Sequence, residues 1–178
     1  INKGNVNMEK ILAEIIGVIG IACSILSFQC EQRRNVLLFQ LTANLMFTTQ
    51  LFLVGAITGA CLDLINFTRS LLFFIDSRRT KSEWLLVIFM LVLIVAGIVT
   101  WKNIYSIFPI IGSLLSTLAL WMKTSKKIRL FSLFSGPCWL IYNIVNGAYS
   151  AAVNELIAMT SIIIGMVRYD IGKKNIGT

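Results

Sequence analysis

The chain has 178 residues, 57% of them hydrophobic and 13% charged, with a formal net charge of +8 and no histidine. A soluble domain carries roughly 45–50% apolar and about 25% charged residues, so this chain lacks the polar surface that a water-facing fold needs. A soluble globular domain and a disordered chain are both excluded, as are a histidine triad and a histidine-ligated metal.

The reading is an all-α integral membrane protein. A helix needs about 20 apolar residues to cross a bilayer core. Seven such spans are predicted in chain order, at 11–29, 36–54, 57–75, 84–101, 104–122, 128–146 and 150–167. Their connections are short, so sequence neighbours form antiparallel hairpins. The unbroken apolar run at 85–95 does not alternate, which excludes the roughly ten-residue alternating strands of a membrane barrel.

Twelve of the 16 cations fall on one side of these spans. They are Arg33 and Arg34; Arg78, Arg79 and Lys81; Lys123, Lys126, Lys127 and Arg129; and Arg168, Lys173 and Lys174. Lys3, Lys10 and Lys102 fall on the other side, and Arg69 lies inside a span. Positive charge collects in the cytoplasm, which puts the N-terminus outside and the C-terminus inside. The net charge is thus a topology signal, and nucleic acid is not an expected partner. The start of the chain resembles a signal peptide, but the repeat described next requires the first span. Residues 1–7, ahead of Met8, are expected to be an upstream addition or a short disordered tail.

A shift of 92 residues superposes the two halves without a gap. Gly20 falls on Gly112, Ser24 on Ser116, Gly55-Ala56 on Gly147-Ala148, Thr68 on Thr160 and Asp63 on Glu155. Spans one to three therefore repeat as five to seven, and span four is a linker that restores their orientation. Such a parallel repeat turns about an axis along the membrane normal. The expected organisation is an extracytoplasmic tail at 1–10, a three-helix repeat at 11–79, a linker helix at 80–102, a second repeat at 103–171 and a cytoplasmic tail at 172–178.

Three stretches carry a resemblance. They are the run from Pro109-Ile110-Ile111-Gly112-Ser113 to Leu118-Ala119-Leu120, the run Cys138-Trp139-Leu140-Ile141-Tyr142-Asn143 with Gly147 after it, and Asn66-Phe67-Thr68-Arg69-Ser70. With Glu155 and Arg168 they resemble the YgjV family of bacterial inner-membrane proteins. The 3+1+3 arrangement is similar to that of the SWEET sugar transporters and the wider PQ-loop group. That resemblance implies bundles in the spatial order one–three–two, with the third and seventh spans facing each other across a central cavity. The chain departs from the PQ-loop pattern, because it has no Pro-Gln pair. Its two prolines, Pro109 and Pro137, both lie in the second repeat.

Ionisable groups inside a span cost about 2.5–3.5 kcal/mol each on insertion scales, so they mark functional candidates. Asp63 and Glu155 are repeat mates at matching depth, and two carboxylates in one low-dielectric cavity suit a proton-coupled step. Arg69 lies near the middle of span three and needs an anionic partner: Asp63, Glu155 or a substrate. Asn66 and Ser70 share a helix face with Asp63, and Arg69 flanks it. Trp139, Asn143 and Thr160 complete the expected cavity lining. Gly20, Ser24, Gly112 and Ser116 are read as helix-packing positions, and Glu14 as a side chain reaching the outer interface. The four cysteines, Cys23, Cys30, Cys61 and Cys138, have no C-x-x-C spacing and read as small buried hydrophobes. No metal, cofactor or enzymatic nucleophile–base pair is expected. The expected function is a small-solute transporter or facilitator working by alternating access, with the bilayer and a small solute as partners and self-association left open. The alternative is a non-transporting receptor, chaperone or scaffold on the same fold.

Overall fold

The computed structural model describes residues 3–29, 33–75, 83–122 and 124–167. Among them the chain is all helical. The helices are α1 (Lys3–Gln29), α2 (Arg33–Leu53), α3 (Ile57–Ile75), α4 (Glu83–Val99), α5 (Ile107–Trp121), α6 (Ser125–Val145) and α7 (Tyr149–Met166), and a 3-10 turn at Ile104–Ser106 leads into α5. Each lies on a predicted span, with ends that differ by three residues at most. The exception is α1. It begins at Lys3, so residues 3–10 are its first turns and not a tail. Cys30, the cations at 78–81, 123, 168 and 173–174, and the expected tail at 172–178 lie outside the described residues.

The outside of the bundle is apolar. The outer faces carry Ile11, Ile15 and Val18 of α1, Val87, Leu91 and Val95 of α4, and Ile163 and Ile164 of α7, all exposed. The buried set includes Thr48, Gln50, Thr58, Asn66, Arg69, Ser113, Thr117, Ser135 and Asn143. Exposed apolar surface this continuous calls for an apolar solvent, which a bilayer supplies. By length and composition, Ile104–Trp121, Lys126–Val145 and Tyr149–Met166 are long and apolar enough to cross a membrane, and Glu83–Val99 is a shorter apolar helix.

Within the first half, α2 packs along both α1 and α3; within the second, α6 packs along both α5 and α7. This corrects the one–three–two order implied by the SWEET resemblance, because the second helix of each half is the middle one. Small residues explain the choice. Gly20 of α1 lies against Phe47 of α2, where a Cβ would come 2.9 Å from the ring. Gly112 of α5 lies against Trp139 of α6, where a Cβ would come 2.8 Å from the indole. Close approach at these glycines draws the first and second helices of each half together. The two halves meet at two seams, α1 on α7 and α3 on α5, and α4 packs on α3 and α5.

The α2–α3 and α6–α7 turns have the same bonding. Gly55 N–H donates to Phe52 O at 3.0 Å and Ala56 N–H to Leu51 O at 2.9 Å; Gly147 N–H donates to Ile144 O at 3.1 Å and Ala148 N–H to Asn143 O at 2.9 Å. Gly55 and Gly147 have φ of 74° and 75°, the left-handed conformation in which a helix ends most easily on glycine.

Candidate functional site

A cavity of about 270 Å³ lies among α2, α3, α5, α6 and α7. Seven of the eight residues expected to line it do so: Asp63, Asn66, Arg69, Ser70, Trp139, Asn143 and Glu155. Thr160 is the correction. It lies outside this cavity, is exposed, and donates its hydroxyl to Leu156 O at 2.8 Å. It is five residues past Glu155, and five helical steps of about 100° carry a side chain to the far face. Thr68, five past Asp63, is exposed in the same way and donates to Leu64 O at 2.9 Å.

The wall facing α5 is held by polar bonds across the α3–α5 seam. Asn66 Nδ2 donates to Ser113 Oγ at 3.0 Å. The Arg69 guanidinium donates to Thr117 Oγ1, whose hydroxyl in turn donates to Ser113 O at 2.7 Å. Ser70 Oγ donates to Asn66 O at 2.9 Å. The Asp63 carboxylate accepts from Thr48 Oγ1 of α2 at 2.7 Å. Among the described residues, Arg69 and Asp63 make no hydrogen bond to each other. On the opposite wall Glu155 lies beside Gly136, its Oε2 3.8 Å from where a Cβ would stand, and a side chain there would also strike Met159. Trp139 and Tyr142 meet edge to face, with ring centroids 6.4 Å apart.

Three buried atoms on lining residues find no protein hydrogen-bond partner among the described residues: Asn66 Oδ1, Arg69 Nε and Asn143 Oδ1. Their residues are 8%, 5% and 2% exposed. Buried polar groups are nearly always bonded, so orphans grouped on one cavity mark a place where polar groups are meant to be met.

Where α3 and α7 begin, the cavity ends at Leu51, Asn143 and Ala151. Beyond them Tyr142 is buried, and its hydroxyl accepts from Gly59 N–H at 2.9 Å. A Cβ at Gly59 would come 2.2 Å from the ring, so the glycine is what admits Tyr142 to that position. Glu14 belongs to the same end. Its carboxylate accepts from Tyr149 N–H, Ser150 N–H and Gln50 Nε2, each at 3.0 Å, and from the Ser150 hydroxyl. It therefore caps the first turn of α7 from α1, where backbone N–H groups lack helical partners. This corrects the reading of Glu14 as an interface-seeking side chain. Ser106, 92 residues on from Glu14, meets Thr58 at 3.2 Å across the other seam, and Ser150 lies 92 residues on from Thr58.

The packing positions divide. Gly20 and Gly112 are contact points. Ser24 is half-buried, and Ser116 lines the cavity and donates to Ser113 O at 3.0 Å. Sequence reasoning missed Asn44, Phe47, Ser132, Ser135 and Asn154 of the lining. A signal for two of them was available. Asn44 and Gly136, Phe47 and Trp139, Leu51 and Asn143 are pairs at the repeat offset, and both members of each pair line the cavity.

The family described as Imp-YgjV, bacterial inner membrane protein, matches residues 11–173. The chain is also similar to the inner membrane protein YgjV of Escherichia coli (strain K12), at 26% identity over 144 residues, covering 81% of this chain and 76% of that protein. No solved structure matches.

Proposed function

Since the chain belongs to the Imp-YgjV family of bacterial inner membrane proteins, we propose that it carries a small polar solute across that membrane by alternating access. In this reading all seven helices cross the bilayer, with the N-terminus outside, and the two halves are parallel three-helix repeats joined by α4. The matching turns at Gly55 and Gly147 and the repeat-paired lining support the repeat. The observation that carries the transport reading is the cavity itself. Three ionisable side chains and three orphaned polar atoms gather on one cavity between the two halves, in a place where a structural role alone would favour apolar packing.

The seams differ, and the difference gives the motion a direction. The α3–α5 seam is bonded at three levels, through Thr58–Ser106, Asn66–Ser113 and Arg69–Thr117. The α1–α7 seam is bonded at the Glu14 level. At the depth of Arg69 and Thr117 its repeat mates are Ser161 and Ile25, both exposed. The α3–α5 seam is therefore the pivot and the α1–α7 seam the one that parts.

The test is thermal stability of the purified protein against sugars, amino acids, nucleosides, amines and organic acids. A solute that stabilises the wild type, fails with Asp63→Asn, and enters protein-loaded liposomes faster than empty ones supports transport. If no class shifts the melting temperature or enters, the scaffold reading replaces it. Orientation has its own check: a cysteine at Asn103 should react with an impermeant thiol reagent added outside intact cells, and one at Lys126 should not.

A further inference from the structure

The polar groups of the cavity are unequally available. Asp63 and Glu155 are half-buried and come from opposite halves of the protein. Arg69 is buried, and its guanidinium is engaged by Thr117 in the α3–α5 seam. The lumen therefore presents carboxylates, while the balancing cation is drawn into the wall. Asn66 Nδ2 donates to Ser113 Oγ, and Asn66 Oδ1 finds no partner among the described residues. Asn143 also has an orphaned Oδ1. Both residues are more than nine-tenths buried and line this same cavity. Two carboxylates and two amide oxygens are acceptors, and Arg69 Nε is the one orphaned donor beside them. The wall between them is aromatic, with Phe47 from one half and Trp139 from the other.

Such a lumen discriminates by charge. An anion would meet two carboxylates with one retracted guanidinium to offset them. A neutral polyol draws only hydrogen bonds from the two carboxylates, with no charge to answer theirs. A cation meets opposite charge, and a ring face attracts it further. Resting on the transport reading above, we propose that the cavity binds a small organic cation, an ammonium-bearing solute held between Asp63 and Glu155 against Trp139. The volume of about 270 Å³ admits a compact amine.

The experiment measures calorimetric binding of four probes to the wild-type protein in lipid nanodiscs: choline, its neutral isostere 3,3-dimethyl-1-butanol, glucose and lactate. Choline and the butanol share shape, so their ratio reports charge. Choline is expected to bind at least about tenfold tighter than the butanol, a gap that one desolvated cation–π or ionic contact supplies. Asp63→Asn and Glu155→Gln are near-isosteric and should each weaken choline by about tenfold while leaving the butanol unmoved. If either variant fails to fold, the wild-type ratio decides alone. Equal binding of choline and the butanol overturns the cation class. So does binding of glucose or lactate without choline, and that outcome leaves the transport reading standing. Silence from all four overturns the cation class too, and the wider panel then judges transport separately.

Discussion

Glu14 shows how much one side chain does in this bundle. It meets three N–H donors and one hydroxyl on two other helices, joining α1 to α2 and to the start of α7. Removing it leaves the buried Gln50 and Ser150 without that acceptor, at about 1–3 kcal/mol for a lost charged acceptor. Glu14→Ala should therefore lower the melting temperature in detergent clearly, and Glu14→Gln less, since one amide oxygen still accepts. A surface control such as Met8→Ala should be neutral; equal loss at both sites would remove the capping role. Arg69 teaches a related point. Its place in span three was legible as a group in need of a partner, and the expected partners were anions. The hydroxyl of Thr117 was not foreseeable, because Thr117 lies 48 residues away on another helix.

At the scale of elements, the hairpin turns are the most sequence-determined features. Gly55 and Gly147 adopt positive φ with open space where a Cβ would be, so only backbone conformation opposes a side chain there. Alanine at either should cost about 1–2 kcal/mol, the ordinary left-handed penalty, and asparagine less. Similar losses for Gly55→Ala and Gly147→Ala in thermal melts would confirm that the turns are equivalent, and a cost at one alone would argue against it. The glycines inside helices behave differently. Gly17 and Gly59 face side chains at under 3 Å, and substitution there forces Gln50 or Tyr142 aside. Helix existence was readable from apolar run length alone. Helix start was less so for α1, because residues 3–10 are polar and carry no membrane signal, yet the helix continues through them.

At the scale of the whole molecule, the two seams set the prediction. In a background with all four cysteines replaced by serine, Glu14→Cys with Ser150→Cys places two thiols across the α1–α7 seam. Thr58→Cys with Ser106→Cys does the same across α3–α5, where the hydroxyls stand 3.2 Å apart. Oxidation of the first pair should stop solute entry into liposomes, and reduction should restore it. Oxidation of the second pair should leave entry intact. Equal inhibition by both would mean that the halves move about some other axis.

By itself the sequence determined the apolar surroundings, the number of helices and seven of the 18 residues that line the cavity. These follow from local quantities: the length of an apolar run and the depth of a polar residue within a helix. Asp63, Asn66 and Ser70 could be read onto one face because helical periodicity is a local rule. Tertiary structure decided what local rules do not contain. It set the order of helices within each half, because close approach at Gly20 and Gly112 depends on which helix brings a large ring opposite. It moved Glu14 from the interface to the end of α7 and turned Thr160 away from the cavity. It also bonded the α3–α5 seam through Thr58–Ser106, Asn66–Ser113 and Arg69–Thr117 and laid Glu14 across the α1–α7 seam, since each bond requires two residues from different helices to meet.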